Sequence, residues 1–309
     1  MMIITIPLPM QGPPHFINSY LIKDGEDSVL IDTGLPTEED IMTLTSSLTK
    51  YRYPRNVIIT HYHPDHIGLV RLFKNSNIII HEKELEFIHY LLSPEYSKDI
   101  KEYLSSNGFP DQVIDRMLRN RERFNEIIKG VNFITVKDGD KIEINGTRAE
   151  ILWTPGHTVG HICLMYDHSL FCGDHILPDI TPNVSLLRKD DNPLKAYLNS
   201  LEKIKSLNVD VIYPAHGKAF SNVKERIREI IGHHDKRLDE IIKIIRDKRK
   251  ANAYEIATGI SWYKKWDELS SFDKQLALGE TMSHLKYLVE KGSISEIKIN
   301  NSIYYTIST

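Results

Sequence analysis

Short apolar runs alternate with helix-spaced apolar residues along the first third of the chain. Runs of β-prone residues bounded by turn residues predict strands, whereas apolar positions that repeat every three or four residues predict helices. Strands that alternate with helices are typical of an α/β layer structure. The predicted strands are 16–23, 28–31, 57–60 and 77–80, and the predicted helix is 37–50.

In residues 82–129 the apolar side chains repeat only at the spacing of a helix, and breaks in the helix are predicted at Pro94 and at Gly108-Phe109-Pro110. Their apolar residues could pack on one another or form the underside of a lid that receives an apolar substrate group. Strands then return, and Asp138-Gly139 and Asn145-Gly146 predict tight turns between them. The later predicted strands are 131–136, 141–144, 148–153, 162–166, 170–172 and 209–213, and the predicted helix is 193–207.

The last part of the chain has a different pattern, which begins with a long charged helix predicted over 221–250. Three short helices and a hairpin around Asn300-Asn301 are then predicted within 251–309, and this order is that of a winged helix. We therefore predict a larger first domain over 1–225, with a helical insertion at 82–129 as the candidate lid. A connecting helix and a small C-terminal winged-helix domain are predicted over 226–309.

Composition excludes several classes of protein. The chain has 309 residues, 26% of them charged, and a net charge of −3, which is ordinary for a folded protein and unlike a strongly basic nucleic-acid binder. Two cysteines exclude a disulfide scaffold and a cysteine-built metal site. The sequence has no apolar run long enough for a membrane helix, and its start lacks a basic signal-peptide region. We expect a cytoplasmic protein with no membrane partner.

Histidines and carboxylates are concentrated where predicted strands end. The segment from His61 to His66 contains three histidines and Asp65, and a turn there could direct His61 and His63 to one ion and Asp65 and His66 to another. Imidazole and carboxylate ligands suit a divalent ion such as zinc. Three further polar residues follow later strands and are expected at the same sheet edge: His157, Asp174 and His216.

The order His-x-His-x-Asp-His, Gly-His-Thr, an aspartate after a strand and a late histidine resembles the metallo-β-lactamase superfamily over about residues 1–225. The early Asp32-Thr33-Gly34 also matches the family. The resemblance implies an α/β (α+β) fold, an αββα sandwich of two mixed sheets. It further implies two divalent metal ions, with zinc favoured over iron or manganese. The implied ligands are His61, His63 and His157 for the first ion, Asp65, His66 and His216 for the second, and Asp174 between them.

The resemblance also implies a chemistry. Asp32 would orient a ligand histidine from behind, and Asp65 and Asp174 would be the catalytic carboxylates because they hold the second ion. A hydroxide that bridges the two ions would attack the substrate. His63 stands where flavodiiron oxidoreductases of the family carry a glutamate, which favours a hydrolase, and a single-iron persulfide dioxygenase is the less favoured alternative. With no cysteine in the later metal position, an antibiotic-type lactamase is disfavoured.

Other residues near these motifs have weaker signals. We expect His161 to be structural, as in similar hydrolases such as glyoxalase II. His175 and Asn183 are candidate substrate-binding residues, because each follows Asp174 in the chain. A two-residue turn at Asp167-His168 would make Cys163 and Cys172 cross-strand neighbours, and we expect both to be buried free thiols.

Three functions are compatible with these features. The first is hydrolysis of an ester, lactone or thioester bond in a small-molecule substrate, and the second is cleavage of RNA or nucleotides by a metal-dependent nuclease or phosphodiesterase. The third is a non-catalytic nucleic-acid-binding regulator, which the complete ligand set disfavours. Residues 251–309 carry 6 Lys and Arg against 7 Asp and Glu, so a nucleic-acid partner is not favoured. We expect the C-terminal module to be structural or to form a homodimer.

Overall fold

The computed structural model describes residues 2–12, 14–51 and 53–308. Within these residues, six strands form a first sheet: β1 (Met2–Pro9), β2 (Phe16–Asp24), β3 (Asp27–Ile31), β4 (Asn56–Ile58), β5 (Asn77–His81) and β6 (Phe133–Val136). Their order in the sheet follows the chain. The strands β1 to β3 pair antiparallel and β3 to β6 pair in parallel, so the sheet is mixed.

Strand β1 was not predicted from the sequence, because Pro7 and Pro9 interrupt its apolar pattern. Proline cannot donate a backbone hydrogen bond and is therefore confined to sheet edges. β1 lies at the edge of the sheet, where it pairs with β2. The two prolines are two residues apart, so both missing donors fall on the same side of the strand.

A second mixed sheet contains five strands among the described residues: β7 (Lys141–Ile144), β8 (Thr147–Trp153), β9 (Ile162–Tyr166), β10 (Ser169–Gly173) and β11 (Val211–Pro214). Their order is β11-β10-β9-β8-β7, and β10 and β11 are the parallel pair. The turn residues Asn145 and Asp167 have left-handed φ values of 46° and 55°, as two-residue hairpin turns require. The predicted turns at Asn145-Gly146 and Asp167-His168 and the register across β9 and β10 are confirmed. The turn at Asp138-Gly139 is also present, but it connects β6 of the first sheet to β7 of the second and closes no hairpin.

The two sheets share one apolar core. Side chains from the first sheet, including Tyr20, Ile31 and Ile58, form a single buried cluster with side chains from the second sheet, including Ile151 and Phe171. Alternating residues of each strand face this layer. The predicted sandwich of two mixed sheets is therefore confirmed.

Phe171→Ala is expected to lower the free energy of unfolding by about 3–5 kcal/mol, because truncation of a buried ring leaves a cavity. Phe171 is completely buried and its ring lies 4.8 Å from that of Tyr213 and 5.4 Å from that of Tyr20. Urea unfolding followed by circular dichroism measures the change. Ile134→Ala, at a position that is 48% exposed on β6, is the control and should change stability by less than about 0.5 kcal/mol. Equal stability of both variants would contradict the placement of Phe171 in the core.

The helices begin and end close to the predicted positions. In α1 the Thr37 hydroxyl accepts from the Asp40 backbone amide, which caps the first turn. Helices α3, α4 and α5 occupy the segment predicted to be helical, and they are separated at Pro94 and Gly108, where φ is +82°. The helices are α1 (Glu38–Leu48), α2 (Pro64–Ile67), α3 (Glu82–Leu92), α4 (Pro94–Ser106), α5 (Asp111–Ile128), α6 (Pro193–Lys205), α7 (Val223–Lys248), α8 (Ala253–Ala257) and α9 (Ser271–Glu290).

The chain forms two compact units. One contains Met1–His89, Arg123–Pro182 and Ser200–Ile227, and the other contains Tyr90–Glu122, Asn183–Asn199 and Arg228–Thr309. Both sheets described above lie in the first unit. The predicted domain ranges 1–225 and 226–309, and the use of 82–129 as a lid, stay predictions.

The C-terminal elements occur in the predicted order. A short 3-10 turn at Trp266–Glu268 lies between α8 and α9, and β12 (Ile294–Ile299) pairs with β13 (Ser302–Ile307) around Asn300-Asn301. They pack within the second unit, where the buried Tyr305 hydroxyl donates to Asn107 Oδ1 at 2.9 Å. A winged-helix domain that stands apart is therefore not evident. No helix among residues 2–12, 14–51 and 53–308 has the length and apolar character needed to cross a membrane.

Candidate metal centre

The histidines and aspartates picked out from the sequence follow strand ends on both sheets of the first unit. β4 ends at Ile58, and the chain then turns through His61 into α2, where Pro64 occupies the first turn. His157 follows β8, Asp174 follows β10 and His216 follows β11. The predicted position of these residues after strands is confirmed. The expectation of one shared sheet edge is wrong, because the segment from His61 to His66 follows a strand of the first sheet and the other three residues follow strands of the second.

Three imidazoles converge in a first group. His61 Nε2 lies 2.9 Å from His63 Nδ1. His157 Nε2 lies 3.2 Å from His61 Nε2 and 3.0 Å from His63 Nδ1. Burial lowers the pKa of His61 well below its usual value and that of His63 to about 3, so both rings are neutral at pH 7. Neutral imidazole has the nitrogen lone pair that a metal ion requires.

A second group contains Asp65, His66 and His216. Asp65 Oδ2 lies 3.6 Å from His66 Nε2 and 3.4 Å from His216 Nε2. Burial alone would raise the pKa of Asp65, but His66 and His216 lower it to about 2, so the carboxylate is ionised. Burial likewise opposes protonation of His66, yet Asp32, Asp65 and Asp174 raise its pKa well above the usual value. The three carboxylates around His66 therefore stabilise a positive charge at this group.

Asp174 spans the two groups. Its Oδ2 lies 3.6 Å from His157 Nε2, while its Oδ1 lies 3.7 Å from His66 Nε2 and 3.4 Å from His216 Nε2. Burial would raise the pKa of Asp174, but His216 and His66 hold it well below its usual range. One ionised carboxylate thus presents an oxygen to each group.

Asp32 lies behind the second group and orients it. Its Oδ2 accepts from His66 Nδ1 at 2.7 Å, and its own position is set by the Thr60 backbone amide at 2.8 Å and the Thr60 hydroxyl at 2.8 Å. His216 Nδ1 similarly donates to the Phe16 carbonyl at 2.9 Å. A carboxylate and a carbonyl can only accept, so each ring's Nδ1 carries the proton and Nε2 is directed to the centre. Sequence reasoning missed Thr60, whose only signal is its place directly before His61.

The donor atoms fit metal ions. His66 Nε2 and Asp174 Oδ1 are buried, and among the described residues neither has a hydrogen-bond partner. Buried polar atoms without partners are costly unless a ligand satisfies them. Within each group, the ligand atoms all lie within 4.8 Å of one another. The first group contains His61, His63, His157 and Asp174, and the second contains Asp65, His66 and His216. Histidine and carboxylate donors of this kind bind zinc and also suit iron or manganese.

Cys163 and Cys172 are both free and buried, and neither belongs to these groups. Burial raises the pKa of Cys163 to about 12, so its thiol stays protonated at neutral pH. The expectation of two buried free thiols is confirmed.

The remaining candidates differ in position. His161 Nε2 accepts from the Asp174 backbone amide at 3.2 Å and its Nδ1 pairs with Thr154 Oγ1 at 2.9 Å, which supports the expected structural role. His175 is completely buried, which argues against direct contact with a substrate. Asn183 lies in the second unit, where its amide donates to the Leu276 carbonyl at 3.3 Å. Substrate binding by His175 and Asn183 stays a prediction.

A family model described as the metallo-beta-lactamase superfamily matches residues 12–216, a range that contains all the residues of both groups. The chain belongs to the metallo-beta-lactamase superfamily. Together with the two groups of metal-binding side chains, this membership identifies a metal-dependent hydrolase with a binuclear site.

The chain is also similar to curated proteins from several organisms. A "Beta-lactamase-like protein 2 homolog" of Caenorhabditis elegans is 30% identical over 265 residues, which cover 84% of this chain and 74% of the relative. A "Probable metallo-hydrolase" of Bacillus subtilis is 23% identical and matches 98% of this chain and 97% of its own. An "Atrochrysone carboxyl ACP thioesterase" of Aspergillus fumigatus is 25% identical over 247 residues, 75% of this chain. The chain spans only 62% of that thioesterase.

The solved structure of a metallo-beta-lactamase family protein from Thermus thermophilus resembles nearly the whole chain. It has a TM-score of 0.84 and 26% identity, and the match covers 99% of this chain and 98% of that one. The shared superfamily fold therefore includes the C-terminal elements, and a distinct winged-helix domain is not shown.

Proposed function

We propose that the protein uses two divalent metal ions to hydrolyse an ester, lactone or thioester bond of a small molecule. The observation that carries the proposal is Asp174, whose two carboxylate oxygens face different groups of ligand atoms. His61, His63 and His157 would hold one ion, and the remaining ligands, Asp65, His66 and His216, would hold the other. Zinc is the favoured metal, with iron or manganese as alternatives.

When bound, the ions would activate water for attack and neutralise negative charge that develops on the substrate. The protein's own contribution is orientation. Asp32 fixes the His66 ring through Nδ1, and the Phe16 carbonyl does the same for His216, so that both Nε2 atoms point inward. Asp65 is ionised and its side chain is 18% exposed, so it would accept the proton that the attacking water loses and then pass it to the leaving group.

One relative favours a carbonyl substrate. One similar protein carries the name of a thioesterase, and thioester hydrolysis is among the reactions proposed from the sequence. Phosphodiester cleavage is the alternative, and a basic excess in residues 224–250, with 10 Lys and Arg against 6 Asp and Glu, is the observation that keeps it open. Residues 251–309 have no such excess, so we propose a structural or dimerising role for the C-terminal part. Its assignment as a winged helix and a cytoplasmic location stay predictions.

A substrate panel tests the proposed reaction. Protein loaded with zinc is incubated with a p-nitrophenyl ester, a lactone, an acyl thioester, bis-p-nitrophenyl phosphate and single-stranded RNA. We expect hydrolysis of at least one carbonyl compound in clear excess over a chelator-treated sample, and no turnover of the two phosphodiesters. Cleavage confined to the phosphodiesters would replace the first function by the second. Binding of RNA after chelation, without any cleavage, would favour a non-catalytic regulator.

A further inference from the structure

Glu84 is a buried carboxylate that the proposed chemistry does not use. It lies in the first turn of α3 and is completely buried. Its Oε1 accepts from the Tyr62 backbone amide at 2.8 Å, and its Oε2 accepts from the Gly160 backbone amide at 2.7 Å. Both oxygens of one side chain are therefore engaged by two distant segments of the chain.

The two segments are those that carry the first group of imidazoles. Tyr62 stands between His61 and His63, and Gly160 stands three residues after His157. These segments also meet where the Ile162 amide donates to the Thr60 carbonyl at 3.0 Å. A second attachment through Glu84 fixes the orientation of one segment relative to the other, which a single hydrogen bond cannot do.

The absence of a side chain at Gly160 lets the backbone of Glu84 approach closely. A Cβ atom at this position would lie 2.2 Å from the Glu84 backbone nitrogen and 2.6 Å from the Glu84 Cα. Only glycine permits so close an approach. The helix start and the loop after His157 are therefore in direct backbone contact.

Burial of the Glu84 carboxylate costs free energy, because the charged group is removed from water. Removal from water raises the pKa of Glu84 to about 7, although the Thr158 side chain and the two amides act to lower it. Buried carboxylates are rare unless their hydrogen bonds are needed. A neutral side chain of the same size would avoid this cost but could accept from only one of the two amides.

We propose that Glu84 is a positioning residue that holds the His61–His63 segment and the His157 segment at the separation that the first metal ion requires. Residues that hydrogen-bond directly to metal ligands change metal affinity by about 10–100-fold, and we expect an effect of that order from Glu84, which holds the ligand segments through their backbone. The inference rests on the proposed metal centre and adds to it a residue that acts through the backbone amides of the two ligand segments.

Glu84→Gln tests the inference, with Glu86→Gln as the matched control. The control makes the same substitution in the same helix. The Glu86 side chain, however, is 61% exposed, and its Oε2 lies 3.0 Å from Lys83 Nζ on the surface. Zinc content after dialysis and zinc affinity by chelator competition are measured, with circular dichroism to confirm folding. We expect wild type and Glu86→Gln to retain two ions per chain. Glu84→Gln should lose affinity for one of them by about 10–100-fold and retain the other.

Two further measurements separate positioning from general stabilisation. The visible spectrum of the cobalt-loaded protein reports ligand geometry, and we expect it to change in Glu84→Gln while the control matches wild type. Glu84→Asp keeps two accepting oxygens and should recover part of the affinity, and it replaces Glu84→Gln in the comparison if the latter does not fold. If wild type binds no metal, the proposed function fails. If wild type binds two ions and Glu84→Gln binds both with unchanged affinity and spectrum, only the role of Glu84 is refuted.

Discussion

Asp174→Ala is expected to lower turnover by more than about 100-fold, which exceeds the effect of removing a partner behind a metal ligand. The two oxygens of Asp174 lie within 3.4–3.7 Å of ring nitrogens from both groups, so its loss removes a ligand from each. It also removes a negative charge that offsets the two cations. We expect the variant to retain one tightly bound ion per chain at most, as measured by mass spectrometry of the metal content together with steady-state kinetics.

The control for this variant is Asp210→Ala. This variant has the same aspartate-to-alanine substitution at an exposed position just before β11, and Asp210 belongs to neither group. We expect its turnover and metal content to match wild type. Two metal ions and full turnover in Asp174→Ala would refute the assignment of Asp174 as a ligand shared by both ions.

Removal of the metal ions is expected to abolish hydrolysis and to lower thermal stability. A ligand that binds only the folded state adds about 2.7 kcal/mol at a free concentration 100 times its dissociation constant. Chelation would also leave buried polar atoms such as His66 Nε2 without a partner among the described residues. Differential scanning calorimetry before and after chelation measures the loss, and addition of zinc should restore both activity and melting temperature.

Two outcomes would contradict this expectation. Full activity after exhaustive chelation, with metal content verified as zero, would mean that the side chains act without metal. A melting temperature unaffected by chelation would mean that the site is not a major part of the folded state's stability. Magnesium at the same concentration is the control, because it prefers oxygen ligands in octahedral geometry and should not restore activity.

Local rules were sufficient to predict most elements of the fold. The helix breaks at Pro94 and Gly108, the turn at Asn145-Gly146 and the cap at Thr37 depend on the conformational preferences of single residues. Strand β1 was missed because Pro7 and Pro9 are tolerated only by an edge position, which is a property of the whole sheet.

The metal-binding residues were predictable for a different reason. Four of them lie within His61–His66, and such a density of imidazole and carboxylate has few structural explanations. Glu84 was missed because an acidic residue in the first turn of a helix is ordinary and favoured by the helix dipole. Its hydrogen bonds to Tyr62 and Gly160 join positions 22 and 76 residues away.

The amino-acid sequence by itself determined the alternation of strands and helices, the identity of the residues that can bind metal and the superfamily resemblance, because these depend on residue type and short spacing. The resemblance implied a place for Asp174 between the two groups and an orienting role for Asp32. The tertiary structure added which ring Asp32 holds, that of His66, and it alone revealed that Glu84 joins two ligand segments. It also decided that the C-terminal hairpin contacts Asn107 through Tyr305 instead of standing apart. These relations join residues far apart in the chain, and they exist only once the buried sheets and helices have packed.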